Sequence, residues 1–248
     1  MTPALIALMF AAAFFSGAVN AIAGGGTFLT FGVLTLAGVP PISANATSSI
    51  VQFPGYITST LAYFKDLPKI WKEALVLGLI SIVGSAGGAL YLVWLSDNTF
   101  KAMVPWLLLA ATVVFAAGPW LKPKNTGERH AANPIGIVTQ AATSFYGGFF
   151  GAGMGIMMLA SLGIATGGDY HRLNALKNFL AIVIAAVAIV VFSTAGAVAW
   201  YHAAVMVPGC ALGGYAGIAV AKRVPQTVLR WIVVAAGLGL SVYYFVTG

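Results

Sequence analysis

The stretch AIAGGGTFLT, Ala21–Thr30, puts three consecutive glycines between two strongly apolar runs. A glycine inside a helix costs roughly 1 kcal/mol relative to alanine, so three together break it. The break falls in an apolar segment, where unpaired backbone groups are most costly. At membrane depth such a turn is tolerated only where it is buried in protein or lines a polar cavity. Composition places this chain in a bilayer. Of its 248 residues, 60% are hydrophobic and 7% charged, with a mean hydropathy of +0.95. A soluble domain carries about 25% charged residues. Several apolar runs, among them 3–23, 74–95 and 179–200, reach the ~20 residues that span a hydrocarbon core. The fold class expected is an all-α polytopic membrane protein; the ~10-residue alternating segments of a transmembrane barrel are absent from the sequence.

Sliding the sequence against itself by 129 residues aligns two halves without a gap. Gly24 and Gly26 fall on Gly153 and Gly155, Asn45 on Asn174, Trp71 on Trp200, Gly84 on Gly213 and Gly88 on Gly217. The chain therefore reads as two homologous repeats, 1–120 and 134–248, joined by a charged cytoplasmic linker at 121–133. Because the first segment recurs internally and Met1–Phe10 has no basic region, it reads as mature structure rather than a signal peptide. The single cysteine, Cys210, excludes an intrachain disulfide and reads as a small hydrophobe in a helix.

The charges give the orientation. Lys65, Lys69 and Lys72 follow the second span of repeat one, whereas the matching loop of repeat two carries no charge. Conversely, Lys222, Arg223 and Arg230 have only Asp97 and Lys101 as counterparts. With basic loops on the cytoplasmic side, the repeats are expected to be inverted. Each then needs an odd number of full crossings: a glycine-broken first helix folded into a hairpin, plus three spanning helices. Both termini lie outside. A plain eight-span bundle with kinked first and fifth helices is the alternative, and it would strand the basic loops on opposite faces. The net charge of +7 is accounted for by such loops rather than by nucleic acid. The six tryptophans, near expected span ends, read as interfacial anchors. GSAGG at 84–88 and GCALGG at 209–214 read as helix-packing surfaces.

Breaks at Gly24, Gly25 and Gly26 and at Gly153 and Gly155 expose backbone N–H groups at a helix start, backed by the positive end of its dipole. Thr27 adds a hydroxyl directly after the first turn. In SANATSSIVQ, Asn45, Ser48, Ser49 and Gln52 recur at helical spacing. The matching RLNALKNFLA supplies Asn174, Lys177 and Asn178, with Arg172 near the inner mouth. Neutral hydrogen-bonding groups with a fixed cation at Lys177, and a second at Arg172, suit a small oxyanion. Asn45 and Asn174 as helix caps, and Lys177 as a side chain reaching the interface, are the structural alternatives.

The run GAVNAIAGGGTFLTFGVLTLAGVPPISANATSSIVQ, 17–52, resembles the first signature of the sulfite exporter TauE/SafE family, and GGFFGAGMGIMMLASL followed by RLNALKNFLA resembles its second copy. The second copy departs from a full glycine triplet at Met154. The resemblance implies a multi-pass permease of the bacterial plasma (inner) membrane, moving sulfite, sulfonates or related oxyanions. The reading that follows is a secondary transporter working by alternating access. Its partners would be the small anion and the lipid bilayer, with a homo-oligomer left open and no nucleic acid, cofactor or metal. A passive anion channel and a non-transporting subunit of a membrane complex are the alternatives. An enzyme is disfavoured: His130, His171 and His202 are widely spaced and form no His-Glu-x-x-His motif.

Overall fold

The structure, a computed structural model, describes residues 2–23, 26–62, 67–117, 120, 133–166, 170–220 and 226–247. Among them are ten helices: α1 (Pro3–Ala23), α2 (Thr27–Leu36), α3 (Pro41–Ala62), α4 (Leu67–Trp94), α5 (Asp97–Ala117), α6 (Pro134–Phe149), α7 (Met154–Thr166), α8 (Tyr170–Thr194), α9 (Trp200–Val220) and α10 (Gln226–Thr247). Three of them, within Pro3–Asn20, Ile70–Trp94 and Arg172–Thr194, are long and apolar enough to cross a bilayer by length and composition. Tyr170 lies 129 residues after Pro41 and Gln226 lies 129 after Asp97, so α8 and α10 begin where the internal alignment puts them.

Polarity runs inside out. Ser16, Thr30, Ser48, Ser81 and Gln140 are fully buried, while Trp94, Val83 and Val246 are at least 74% exposed. An apolar surface around a core in which polar side chains are buried among apolar ones suits lipid as the surrounding solvent. All six tryptophans are exposed. Five lie at or near helix ends; Trp106 is the exception, in the middle of α5 with its ring edge-on to Phe245.

Residue contacts fix the relative directions. Along α1 and α9, Phe10 meets Gly209, Phe14 meets Gly213 and Ala18 meets Gly217, so the two run parallel. On α4 and α6, Ser81 meets Gln140 and Gly88 meets Phe145, again parallel. In contrast, Thr112 and Trp106 of α5 meet Gly237 and Phe245 of α10 in reverse order. The start of α3 and the far end of α8 also come together, where the Ala199 N–H donates to Thr47 Oγ1 (2.9 Å). By these contacts α3 and α8, and α5 and α10, run in opposite directions. Packing is exchange-symmetric too: α1 against α9 has its counterpart in α6 against α4, and α3 against α9 in α8 against α4.

The two glycine-lined crossings are tight. A Cβ on Gly213 would overlap the carbonyl oxygen of Phe14, and one on Gly88 that of Phe145. The stretches 84–88 and 209–214 are therefore packing surfaces that let backbones approach.

Candidate functional site

Both first helices fold back on themselves. Gly26 abuts Ser16, whose Oγ donates to the Gly26 carbonyl (2.6 Å). In a continuous helix, residues ten apart stand ~15 Å apart, so the chain has reversed between them. Gly24 and Gly25 lie outside the described residues. In the second half, Asn133 accepts from the Gly136 N–H (2.8 Å) as the cap of α6, while its Nδ2 donates to Ala165 O (2.5 Å) near the end of α7. The start of α6 and the end of α7 therefore share one end of the bundle, as in a re-entrant hairpin. Its turn depends on Gly151 and Gly153, at φ +73° and +75°, where a side chain would be strained. A Cβ on Gly153 would touch Ala111 of α5, so that glycine faces α5 rather than the cavity.

Between the two turns lies a narrow cavity of ≈ 20 Å³, room for about one water. Thr27, Ser49, Gln52 and Tyr56 line it from the first half, and Gly147, Gly151, Met154, Ile184, Ala185 and Ala188 from the second. Thr27 is the first residue of α2 and Met154 the first of α7. Two half-helix N-termini thus open on one cavity, and no side chain caps α2. Each helix start carries roughly half a positive charge, although the Met154 and Ile156 N–H groups of α7 are already bonded to the carbonyls of Gly151 and Gly153.

The polar wall is held by Gln52. Its Nε2 donates to Ser16 Oγ and to Thr30 Oγ1 (3.3 Å), and its Oε1 accepts from the Cys210 thiol (3.8 Å). Ser16 passes its proton to Gly26 O, and Thr30 donates to Thr27 O (3.1 Å) while sharing a short hydrogen bond with Ser48. Every proton in this chain has a partner, so the network fixes α2 against α1 and α3 and holds Thr27 at the cavity. Ser48 belongs to this support rather than to the lining. Ser49 lines the cavity with its hydroxyl bonded to Asn45 O (3.2 Å).

Asn45 and Asn174 each sit at the fifth position of their helices, α3 and α8, so neither is a cap. The Asn45 Nδ2 donates to Phe149 O (2.9 Å) at the end of α6, tying the first half to the second turn, and its Oδ1 is buried without a hydrogen-bond partner. Asn174 and Asn178 are buried on α8. Gly155 lies in the first turn of α7, half-buried. Lys177 is only 9% exposed and carries no ion pair or hydrogen bond among the described residues. It does not touch the cavity. With Ile184 and Ala188, which do, it forms one stripe of α8 at i, i+7 and i+11, about two turns toward that helix's start.

Arg172, in contrast, is committed. Its Nη2 donates to both carboxylate oxygens of Glu73 on α4, each at 2.8 Å. Glu73 is itself buried, and the pair joins the two halves. Sequence reasoning passed over Glu73, although an acid inside an apolar helix signals a hidden partner. It also passed over Tyr56, Gly147 and Ile184, which carry no such signal.

A family model described as sulfite exporter TauE/SafE matches residues 9–244. The chain is 28% identical over 238 residues to a probable membrane transporter protein, ORF9, of a Sinorhizobium species, covering 96% of this chain and 91% of that protein. It is 26% identical over 230 residues to a probable membrane transporter protein of Haemophilus influenzae, covering 93% and 90%. Against the probable membrane transporter protein YfcA of Escherichia coli K12 it is 24% identical over 241 residues, covering 97% and 90%. With the match spanning both hairpins and all the helices between, this chain belongs to the sulfite exporter TauE/SafE family.

Proposed function

We propose that the protein is a secondary transporter that moves small sulfur-containing anions, such as sulfite or organosulfonates, across the bacterial plasma membrane by alternating access. The observation that carries this is the convergence of two half-helix N-termini, at Thr27 and Met154, on one cavity deep in the bundle. Helix starts are anion-binding devices, and discontinuous helices meeting near the midplane are the usual site in transporters. Thr27, Tyr56 and the positive starts of α2 and α7 bind the anion's oxygens; Lys177 holds its charge from the α8 side.

The two halves, 1–120 and 134–248, act as an inverted duplication. Supporting this are the opposed directions of α3 and α8 and of α5 and α10, and the exchange symmetry of the packing. In this orientation the basic loops and the linker face the cytoplasm and both termini face outward. The ends of α3 and α8 that carry Thr60, Lys177 and the Glu73–Arg172 pair then form the cytoplasmic side of the site.

The test is flux into proteoliposomes of purified protein, with sulfite, methanesulfonate and chloride as solutes under imposed pH and voltage gradients. Saturable flux of a sulfur anion, abolished in Lys177→Ala while membrane insertion is intact, is the expected result. Unsaturable chloride current would assign the protein to channels instead, and unchanged flux in Lys177→Ala would remove the lysine from the site.

A further inference from the structure

We infer that the site selects its anion by charge, accepting monoanions and excluding dianions, because among the described residues the interior offers one uncompensated positive charge. This rests on the anion-transporter reading above and specifies the substrate within it.

Among the described residues, two charged side chains are buried, Glu73 and Lys177. Glu73 is neutralised by the two-pronged contact with Arg172, at 2.8 Å to each oxygen. The other acid with a described side chain, Asp97, is exposed at the start of α5 and accepts from the Ile42 N–H (3.1 Å). Among the described residues, no acidic one lines the cavity. What remains for the substrate is Lys177, on the stripe of α8 that leads to Ile184 and Ala188. One cation and one monoanion make a neutral pair.

The helix starts reinforce the discrimination without changing the count. A helix carries no net charge, so its N-terminus attracts an anion in proportion to the anion's charge. The cost of removing an ion from water grows with the square of its charge. Passing from one negative charge to two therefore doubles the attraction and quadruples the desolvation. The narrow cavity, walled on its second side by Gly147, Met154, Ile184, Ala185 and Ala188, leaves little water to relieve the difference. The matching substrates are alkanesulfonates and hydrogen sulfite. Sulfate, fully deprotonated sulfite and sulfonates bearing a carboxylate are excluded.

The experiment separates charge class from transport. First, thermal unfolding of the protein in detergent is followed with methanesulfonate, isethionate, sulfoacetate and sulfate at matched ionic strength, since a ligand bound only by the folded state raises the unfolding temperature. The two monoanions should stabilise, with apparent affinities at least tenfold above those of the two dianions, and the stabilisation should be lost in Lys177→Gln. Equal or tighter binding of sulfoacetate or sulfate overturns the charge rule, as does stabilisation by none of the four anions. Second, flux is measured in vesicles. Sulfite uptake should fall as pH rises through the loss of the hydrogen sulfite proton, while methanesulfonate uptake over the same range does not follow it. Sulfite uptake that instead rises with its dianion overturns the inference. Selective monoanion binding with no flux of any anion would leave the charge rule standing and overturn the transporter.

Discussion

Substituting Glu73 by glutamine should both weaken the protein and change what it carries. The carboxylate holds Arg172 through two contacts of 2.8 Å, with the side chains 10% and 23% exposed. Removing one partner of a fully buried pair costs about 3–5 kcal/mol, because the other charge is left without compensation. An exposed pair is worth at most about 1 kcal/mol. At this depth a loss of about 2 kcal/mol is expected, and for a chain of this size that corresponds to a fall of roughly 4–8 °C in unfolding temperature. The assay is a double-mutant cycle of Glu73→Gln, Arg172→Gln and both together, read by thermal unfolding in detergent. The double variant should recover at least about 1 kcal/mol relative to the sum of the singles. The same cycle reads the charge of the interior. Glu73→Gln leaves two uncompensated cations, Arg172 and Lys177, and should admit sulfate or sulfoacetate; the double variant should return to monoanions. Additive stabilities within about 0.5 kcal/mol would show that the pair is not coupled. Unaltered selectivity in Glu73→Gln would show that Arg172 is too remote to count toward the site.

Two other outcomes follow from the geometry. Gly213→Ala drives a methyl into the Phe14 carbonyl and should cost about 1–3 kcal/mol, whereas Gly239→Ala, which meets nothing within 4 Å, should be neutral or gain up to about 1 kcal/mol; the comparison is by thermal unfolding. Thr27→Val keeps the shape of the wall but removes a donor to the anion; the Michaelis constant for uptake should rise at least about tenfold, the worth of a hydrogen bond to a charged group.

Much of the fold can be read from the chain because the same residue patterns recur 129 positions apart in the sequence. The glycine turns, the fifth-position asparagines of α3 and α8, and the starts of α8 and α10 all follow from one alignment. The reading of the site is more uneven. Thr27, Ser49 and Gln52 line the cavity because polar residues in an apolar helix have to face inward. Its other wall is apolar, and Gly147, Ile184 or Ala188 look in sequence like any residues of a buried helix. Gly151, rather than Gly153, borders the cavity, since which glycine of a turn faces inward depends on backbone angles that spacing does not encode. Arg172 reads as a free cation near the mouth until its partner, 99 residues away, is brought beside it.

The close glycine crossings have a consequence for how the chain is made. α1 lies along α9, and α6 along α4, so the hairpin of each half is seated against a helix of the other. Synthesis proceeds from the N-terminus, and α1 enters the bilayer nearly two hundred residues before the helix it rests on exists. Until then the Gly17 face of α1 that will meet Cys210 has only lipid or an insertion factor to cover it. Neither half can complete its own interior, so assembly is a late, long-range event. Two separately expressed halves should become protease-resistant only when they are made together.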